Sequence, residues 1–201
     1  MARRSMTTGW PLVGWCAAVI ASMSATLLAV AGTDEQGLRL VIRATARTSV
    51  VLFTLAFTAS ALRRRWPARA TRWLLANRRY LGVSFGVSHF VHLLAILALT
   101  GWSVRGFFER AGLVAGVLGS LGYLLLAAMV ATSFDATADW LGPTYWRRLH
   151  TSGVYYLWFV FFATFAPLTV HAPLLYGTFA TLLVAALALR VLTPRAVAAR
   201  A

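Results

Sequence analysis

Apolar residues run almost unbroken through six stretches, at about 10–31, 40–62, 80–100, 111–133, 148–168 and 172–193, and polar residues gather between them. Each stretch is close to the roughly 20 apolar residues that an α-helix needs to cross about 30 Å of hydrocarbon. The pattern predicts an all-α integral membrane protein, a bundle of six transmembrane helices. The first stretch follows Arg3 and Arg4 and ends in Ala29-Val30-Ala31, which resembles a signal-peptide cleavage site. Its apolar run is about twice the length of a usual signal core, so residues 1–34 read as a retained anchor helix. The other five spans, 35–193, form the body of the protein, and 194–201 a short tail.

Composition agrees with that picture and adds a direction to it. The chain of 201 residues is 60% hydrophobic and only 12% charged, with a mean hydropathy of +0.73. No ordinary soluble domain has such a balance. All 19 basic residues are arginine, as suits a GC-rich bacterial genome, and the net charge is +14. These arginines sit between the apolar runs rather than along one stripe, which marks membrane-flanking anchors facing lipid and argues against nucleic acid. Residues 63–79 alone hold Arg63, Arg64, Arg65, Arg69, Arg72, Arg78 and Arg79 with no acid. With six spans, Arg3, Arg4, Arg147, Arg148, Arg195 and Arg200 fall on the same side. By the positive-inside rule both termini are cytoplasmic, in a multi-pass protein of a bacterial inner membrane. Arg39, Arg43 and Arg47 recur every fourth residue at the outer end of span two, where they can snorkel or pair with an anionic group. Cys16 is the single cysteine and reads as a small buried hydrophobe. No dinucleotide fingerprint occurs, so flavin or nicotinamide chemistry would have to come from another polypeptide.

The candidate chemistry lies in four histidines, His89, His92, His150 and His171. An ionisable side chain within a membrane span is costly and is by default a functional-site hypothesis. All five carboxylates, Asp34, Glu35, Glu109, Asp135 and Asp139, fall between the spans, in predicted loops. A proton-coupled pump would want one near the midplane, and a zinc or iron transporter would want carboxylate or cysteine company for its histidines. Haem needs only one or two axial imidazoles and an apolar slot. Gly82 and Gly86 share a stripe of span three with His89, and they serve either close helix packing or room for a flat macrocycle. The aromatics of span five, among them Tyr155, Trp158, Phe161 and Phe165, are either bulk or a haem wall.

Three segments in register carry a resemblance: Arg78-Arg79-Tyr80-Leu81-Gly82 followed by His92, Ala46-Arg47-Thr48-Ser49-Val50-Val51-Leu52-Phe53 in span two, and Trp146-Arg147-Arg148-Leu149-His150-xxx-Val154-Tyr155 in span five. Together they resemble the ferric reductase-like transmembrane family over about 35–190, and within it the stand-alone bacterial haem-binding subunits of methionine sulfoxide reductase systems. The resemblance implies a six-helix bundle binding one or two b-type haems, with quinone or FMN as further cofactor candidates. Electrons would pass from a cytoplasmic flavin reductase or quinol to an acceptor on the outer side. Matched residue by residue, His92 takes the place of the span-three ligand and His150 the first span-five ligand. Arg47, Arg78 and Arg79 match the family's basic positions. The family's second span-five histidine is missing, and Thr164 stands at that point.

His92 follows Arg79 by 13 residues, about 20 Å at 1.5 Å rise per residue, whereas His150 lies near the inner surface, so one iron cannot accept both. An outer haem on His92 is then expected, with His171 at the outer turn or nothing as its partner, and His89 lining the pocket or ligating instead. His150 is then left for a second haem, a quinone ring or a capping role beside Asp135 or Asp139. The alternative is a non-haem scaffold, assembly protein or small transporter on the same helices.

Overall fold

The computed structural model describes residues 7–193, and these contain nine helices and no strand. Six are long and apolar enough to cross a membrane. They are α1 (Trp10–Ala31), α2 (Glu35–Arg65), α4 (Arg78–Leu99), α6 (Leu113–Ala131), α8 (Pro143–Leu168) and α9 (Pro173–Leu192). The predicted fold class is therefore the observed one. The connections are more ordered than the sequence pattern suggested, because three of them carry short helices: α3 (Arg69–Ala76), α5 (Val104–Ala111) and α7 (Asp135–Leu141). Glu109, Asp135 and Asp139 lie on these short helices rather than in loops, and Glu35 opens α2. All remain outside the apolar cores of the spans. Arg3, Arg4, Arg195, Arg200 and the tail lie outside the described residues.

Local chemistry explains where the long helices start and stop. Asp34 caps α2, its carboxylate accepting from the backbone N–H groups of Gln36 and Gly37, which satisfies donors that a helix start leaves open. Gly32 ends α1 with φ +87°, a conformation that a side chain disfavours. The same turn fixes a second glycine, since a Cβ on Gly37 would overlap the carbonyl oxygen of Gly32. Pro11, Pro143 and Pro173 sit in first turns, where the missing N–H costs nothing. Pro167 lies in the last turn of α8, which ends at Leu168.

In the bundle, α2 and α4 pack most extensively against each other. α1 lies outside against both, while α9 covers another face of α2 and α6 and α8 complete the ring. Polar side chains line the α2–α4 seam. Ser49 Oγ donates to Ser88 Oγ at 3.0 Å, and Ser88 Oγ donates to the Thr45 carbonyl at 3.1 Å. Small side chains let backbones approach where the hydrophobic effect gives no drive between helices in lipid. In the middle sits a cluster contributed by five helices, with Phe53, Phe57, Phe85, Leu126, Leu157, Phe161, Phe165 and Leu183 all buried. Phe161 of α8 touches both Phe53 of α2 and Phe85 of α4, at 5.3 and 5.7 Å between ring centroids. This aromatic plug divides the interior into two halves.

Exposed aromatics occur at both ends of the bundle, Trp102 at one and a larger group at the end that carries most arginines. Trp10, Trp66, Trp73, Phe134, Trp140 and Tyr145 all lie there and are exposed, as befits side chains at the lipid–water boundary.

Candidate functional site

The arginine-rich end of the bundle contains a cavity of about 930 Å³, near the upper end of the range typical of small-molecule and cofactor sites. Its floor is the aromatic plug, with Phe53, Phe57, Phe85, Leu126 and Leu157. Its wall includes His150, and its upper part carries Arg64, Arg78, Arg79, Arg147 and Arg190. Gly82 and Gly86 separate the two roles expected of them. Gly82 lines the cavity, and a Cβ built there meets nothing within 4 Å. Gly86 faces α6 instead, where a Cβ would come within 2.6 Å of Val130 Cγ2. One glycine leaves room, and the other permits helix contact.

Two of the guanidiniums are held inward. Arg190, near the end of α9, donates from Nη1 to the Phe57 carbonyl at 2.8 Å and from Nε to the Tyr155 hydroxyl at 3.3 Å. Its guanidinium lies 4.4 Å from the centroid of the Phe57 ring and 5.1 Å from that of Tyr155, which gives the charge partial compensation from the ring faces. Arg78 donates to Ser60 Oγ at 3.2 Å. Neither has a carboxylate within ion-pair distance among the described residues, whereas Arg79 pairs with Asp135 at 2.6 Å. Part-buried charges without a counter-ion are unfavourable unless something neutralises them.

His150 sits on this cavity wall with its ring stacked on Trp146, 4.1 Å between centroids. Its Nε2 lies 3.0 Å from Thr132 Oγ1, which is itself 2.7 Å from the Ala128 carbonyl. A carbonyl only accepts, so the threonine proton is engaged there, and the imidazole donates from Nε2. Neither Asp135 nor Asp139 is its partner. Phe161 packs against both Phe85 and His89, which sets the register of α8 against α4. His150, eleven residues before Phe161, is thereby level with Arg78, eleven before His89. His92 is then about 20 Å farther along the bundle.

Beyond the plug, His92 and His89 form a second group. His92 Nδ1 lies 2.9 Å from the Ile42 carbonyl and 3.2 Å from Thr45 Oγ1. The proton is therefore on Nδ1, leaving the Nε2 lone pair available, the tautomer common among metal-ligating histidines. His92 lines neither this cavity nor the smaller one of about 260 Å³ at the opposite end, although Ile42 and Ile96 do line the latter. His89 is stacked between His92 and Tyr123, at 5.2 and 4.8 Å. Its Nδ1 is buried with no hydrogen-bond partner. Parallel rings direct their lone pairs side by side, so His89 and His92 do not converge on one ion. Among the described residues no three histidine, cysteine or carboxylate side chains gather as metal ligands.

The remaining expected positions are dispersed. His171 is exposed on the turn before α9. Thr164 is exposed, and its hydroxyl donates back to the Val160 carbonyl at 2.8 Å. Arg47 lies 6.0 Å from the Tyr176 ring, with its Nε buried and unpartnered. Arg190 was not singled out from the sequence, although an arginine inside an apolar span is itself a signal. The sequence marks Arg64 as flanking charge and Arg147 as part of the Trp146–His150 segment, and neither as a cavity residue. Compared with known proteins, the chain matches no family model, no curated protein and no solved structure.

Proposed function

We propose that the chain is a membrane electron-transfer protein of the ferric reductase-like kind, holding haem b in the cavity at its arginine-rich end. The cavity itself carries the reading. It combines about 930 Å³ of space, an aromatic floor, one wall histidine and two inward guanidiniums with no carboxylate partner among the described residues. Those features fit a macrocycle with an apolar body, an axial position and two propionates. When bound, the porphyrin iron supplies a one-electron site. His150 would hold the iron through Nε2, giving up its contact with Thr132. Arg78 and Arg190 would neutralise carboxylates, and Gly82 keeps the space open. Phe53, Phe57 and Phe85 exclude water from the floor.

Ring-to-ring contact continues from that floor. Phe85 and Phe161 both touch His89, at 5.5 and 5.3 Å, and His89 stacks on His92. This continuity supports passage of electrons toward the far end through closely spaced groups. The arginine-rich end faces the cytoplasm in this reading, where a separate flavin reductase or quinol is the donor. The acceptor lies on the outer side. The protein's own contribution is position, ligation and polarity.

The test is a reduced-minus-oxidised spectrum of the purified full chain, with haem counted by the pyridine haemochrome method. One haem per chain and its loss in His150→Ala are expected. Absence of a Soret band in the wild type, or full haem content in His150→Ala, would overturn the assignment. His92→Ala and His171→Ala, measured in parallel, decide whether a second haem occupies the outer half.

A non-haem scaffold or small transporter is the second reading. It is favoured by the exposed Thr164 in place of a histidine and by the engagement of His150 Nε2 with Thr132. It predicts a colourless protein of unchanged fold.

A further inference from the structure

We infer that the mouth of the same cavity is a phosphate-binding subsite, taking the headgroup phosphate of an anionic phospholipid. The inference shares its cavity with the haem reading but does not need a porphyrin in it.

Five guanidiniums line this cavity, and among the described residues the one carboxylate paired with any of them is Asp135 on Arg79. Two propionates on Arg78 and Arg190 would still leave Arg64 and Arg147 uncompensated. Arg64 stands at the end of α2 and Arg147 in the first turns of α8, both exposed. Arg64 has no hydrogen-bond or ion-pair partner among the described residues, and Arg147 uses only Nε, on the Pro143 carbonyl at 3.2 Å. Their remaining N–H groups are free donors beside one opening. Arg78 and Arg79, in the first turn of α4, line the same cavity.

A phosphate group answers this arrangement better than a carboxylate does. It carries up to two charges and several acceptor oxygens, and guanidinium forks match it in pairs. Depth points to lipid as the source. Trp10, Trp66, Trp73, Phe134, Trp140 and Tyr145 are exposed at this end and mark the headgroup level. The mouth lies in the layer where phospholipid phosphates sit, so a bound headgroup needs no displacement from the bilayer. Basic pockets at the helix ends of membrane proteins recognise such headgroups in the same way.

The experiment uses the full chain, delipidated in a neutral detergent, with phosphatidic acid, phosphatidylcholine and inorganic phosphate as probes. Bound lipid is counted by native mass spectrometry, and affinity is followed by titration at two salt concentrations. The wild type is expected to prefer phosphatidic acid over phosphatidylcholine by about tenfold or more, with the preference shrinking at high salt. Arg64→Gln/Arg147→Gln is expected to lose most of that preference, and Arg64→Lys/Arg147→Lys to keep a good part of it. Displacement of the lipid by millimolar inorganic phosphate would assign recognition to phosphate alone, and resistance to it would assign the whole headgroup. Equal binding of the two lipids, or unchanged binding by the glutamine variant, would overturn the inference. The Soret band of the same wild-type sample reports separately on haem, so phosphatidic acid binding to a protein without that band would remove the haem reading alone.

Discussion

Gly82 and Gly86 lie one turn apart on α4, yet adding a methyl group to each should act in opposite directions. Alanine exceeds glycine in helix propensity by about 1 kcal/mol. At Gly82 nothing lies within 4 Å of the new Cβ, so the gain is unopposed and Gly82→Ala should stabilise the protein by about 0.5–1 kcal/mol. At Gly86 the Cβ would lie 2.6 Å from Val130 Cγ2 and 3.9 Å from Leu126 Cδ1. Leu126 is buried in the central cluster, so α6 must shift or Val130 must leave its rotamer, a cost of about 1–3 kcal/mol. Gly86→Ala should therefore be neutral to about 2 kcal/mol destabilising. The assay is thermal unfolding in one detergent, followed by helical circular dichroism. A domain of this size shifts by about 2–4 °C for each kcal/mol, so Gly82→Ala should melt above the wild type and Gly86→Ala at or below it. Equal destabilisation by both substitutions would refute the reasoning, because Gly82 would then be a packing residue and the open wall of the cavity would be lost. Gly82→Phe extends the test: the ring fills the space, and haem content should fall while the helices stay folded.

Other expectations follow from single contacts. A double-mutant cycle on Ser49→Ala and Ser88→Ala should return a coupling of about 0.6 kcal/mol, the usual size for hydrogen bonds between membrane helices; a value above about 2 kcal/mol would contradict the simple pair seen here. Phe161→Ala removes a buried ring that joins α8 to α2 and α4 and should cost about 3–5 kcal/mol in equilibrium unfolding. Asp135→Asn breaks an ion pair whose acid is 88% exposed, so stability should change by less than about 1 kcal/mol and even less in high salt. A large loss would show that the short helix α7 is held mainly through Arg79.

Six spans, their order and the concentration of arginine at one end follow from the sequence alone, because hydrocarbon thickness sets the length of an apolar run and loop charge sets the boundaries. Asp34 and the three first-turn prolines likewise announce the helix starts they make. Which face of each helix turns inward was a different matter. Lipid tails are as apolar as leucine, so a membrane helix satisfies its composition equally well with either face toward its neighbours, and no amphipathic period records the choice. Only the packed bundle turned Arg190 into the cavity and Thr164 out to its surface, although both lie in runs of the same character. It alone gave Gly82 open space and Gly86 a methyl group to meet, and paired His92 with the Ile42 carbonyl of another helix. Sequence spacing placed the histidines at different depths. Tertiary contact decided that His150 borders a large cavity, while His89 and His92 lie beyond an aromatic plug, because that outcome depends on how three helices meet at Phe53, Phe85 and Phe161.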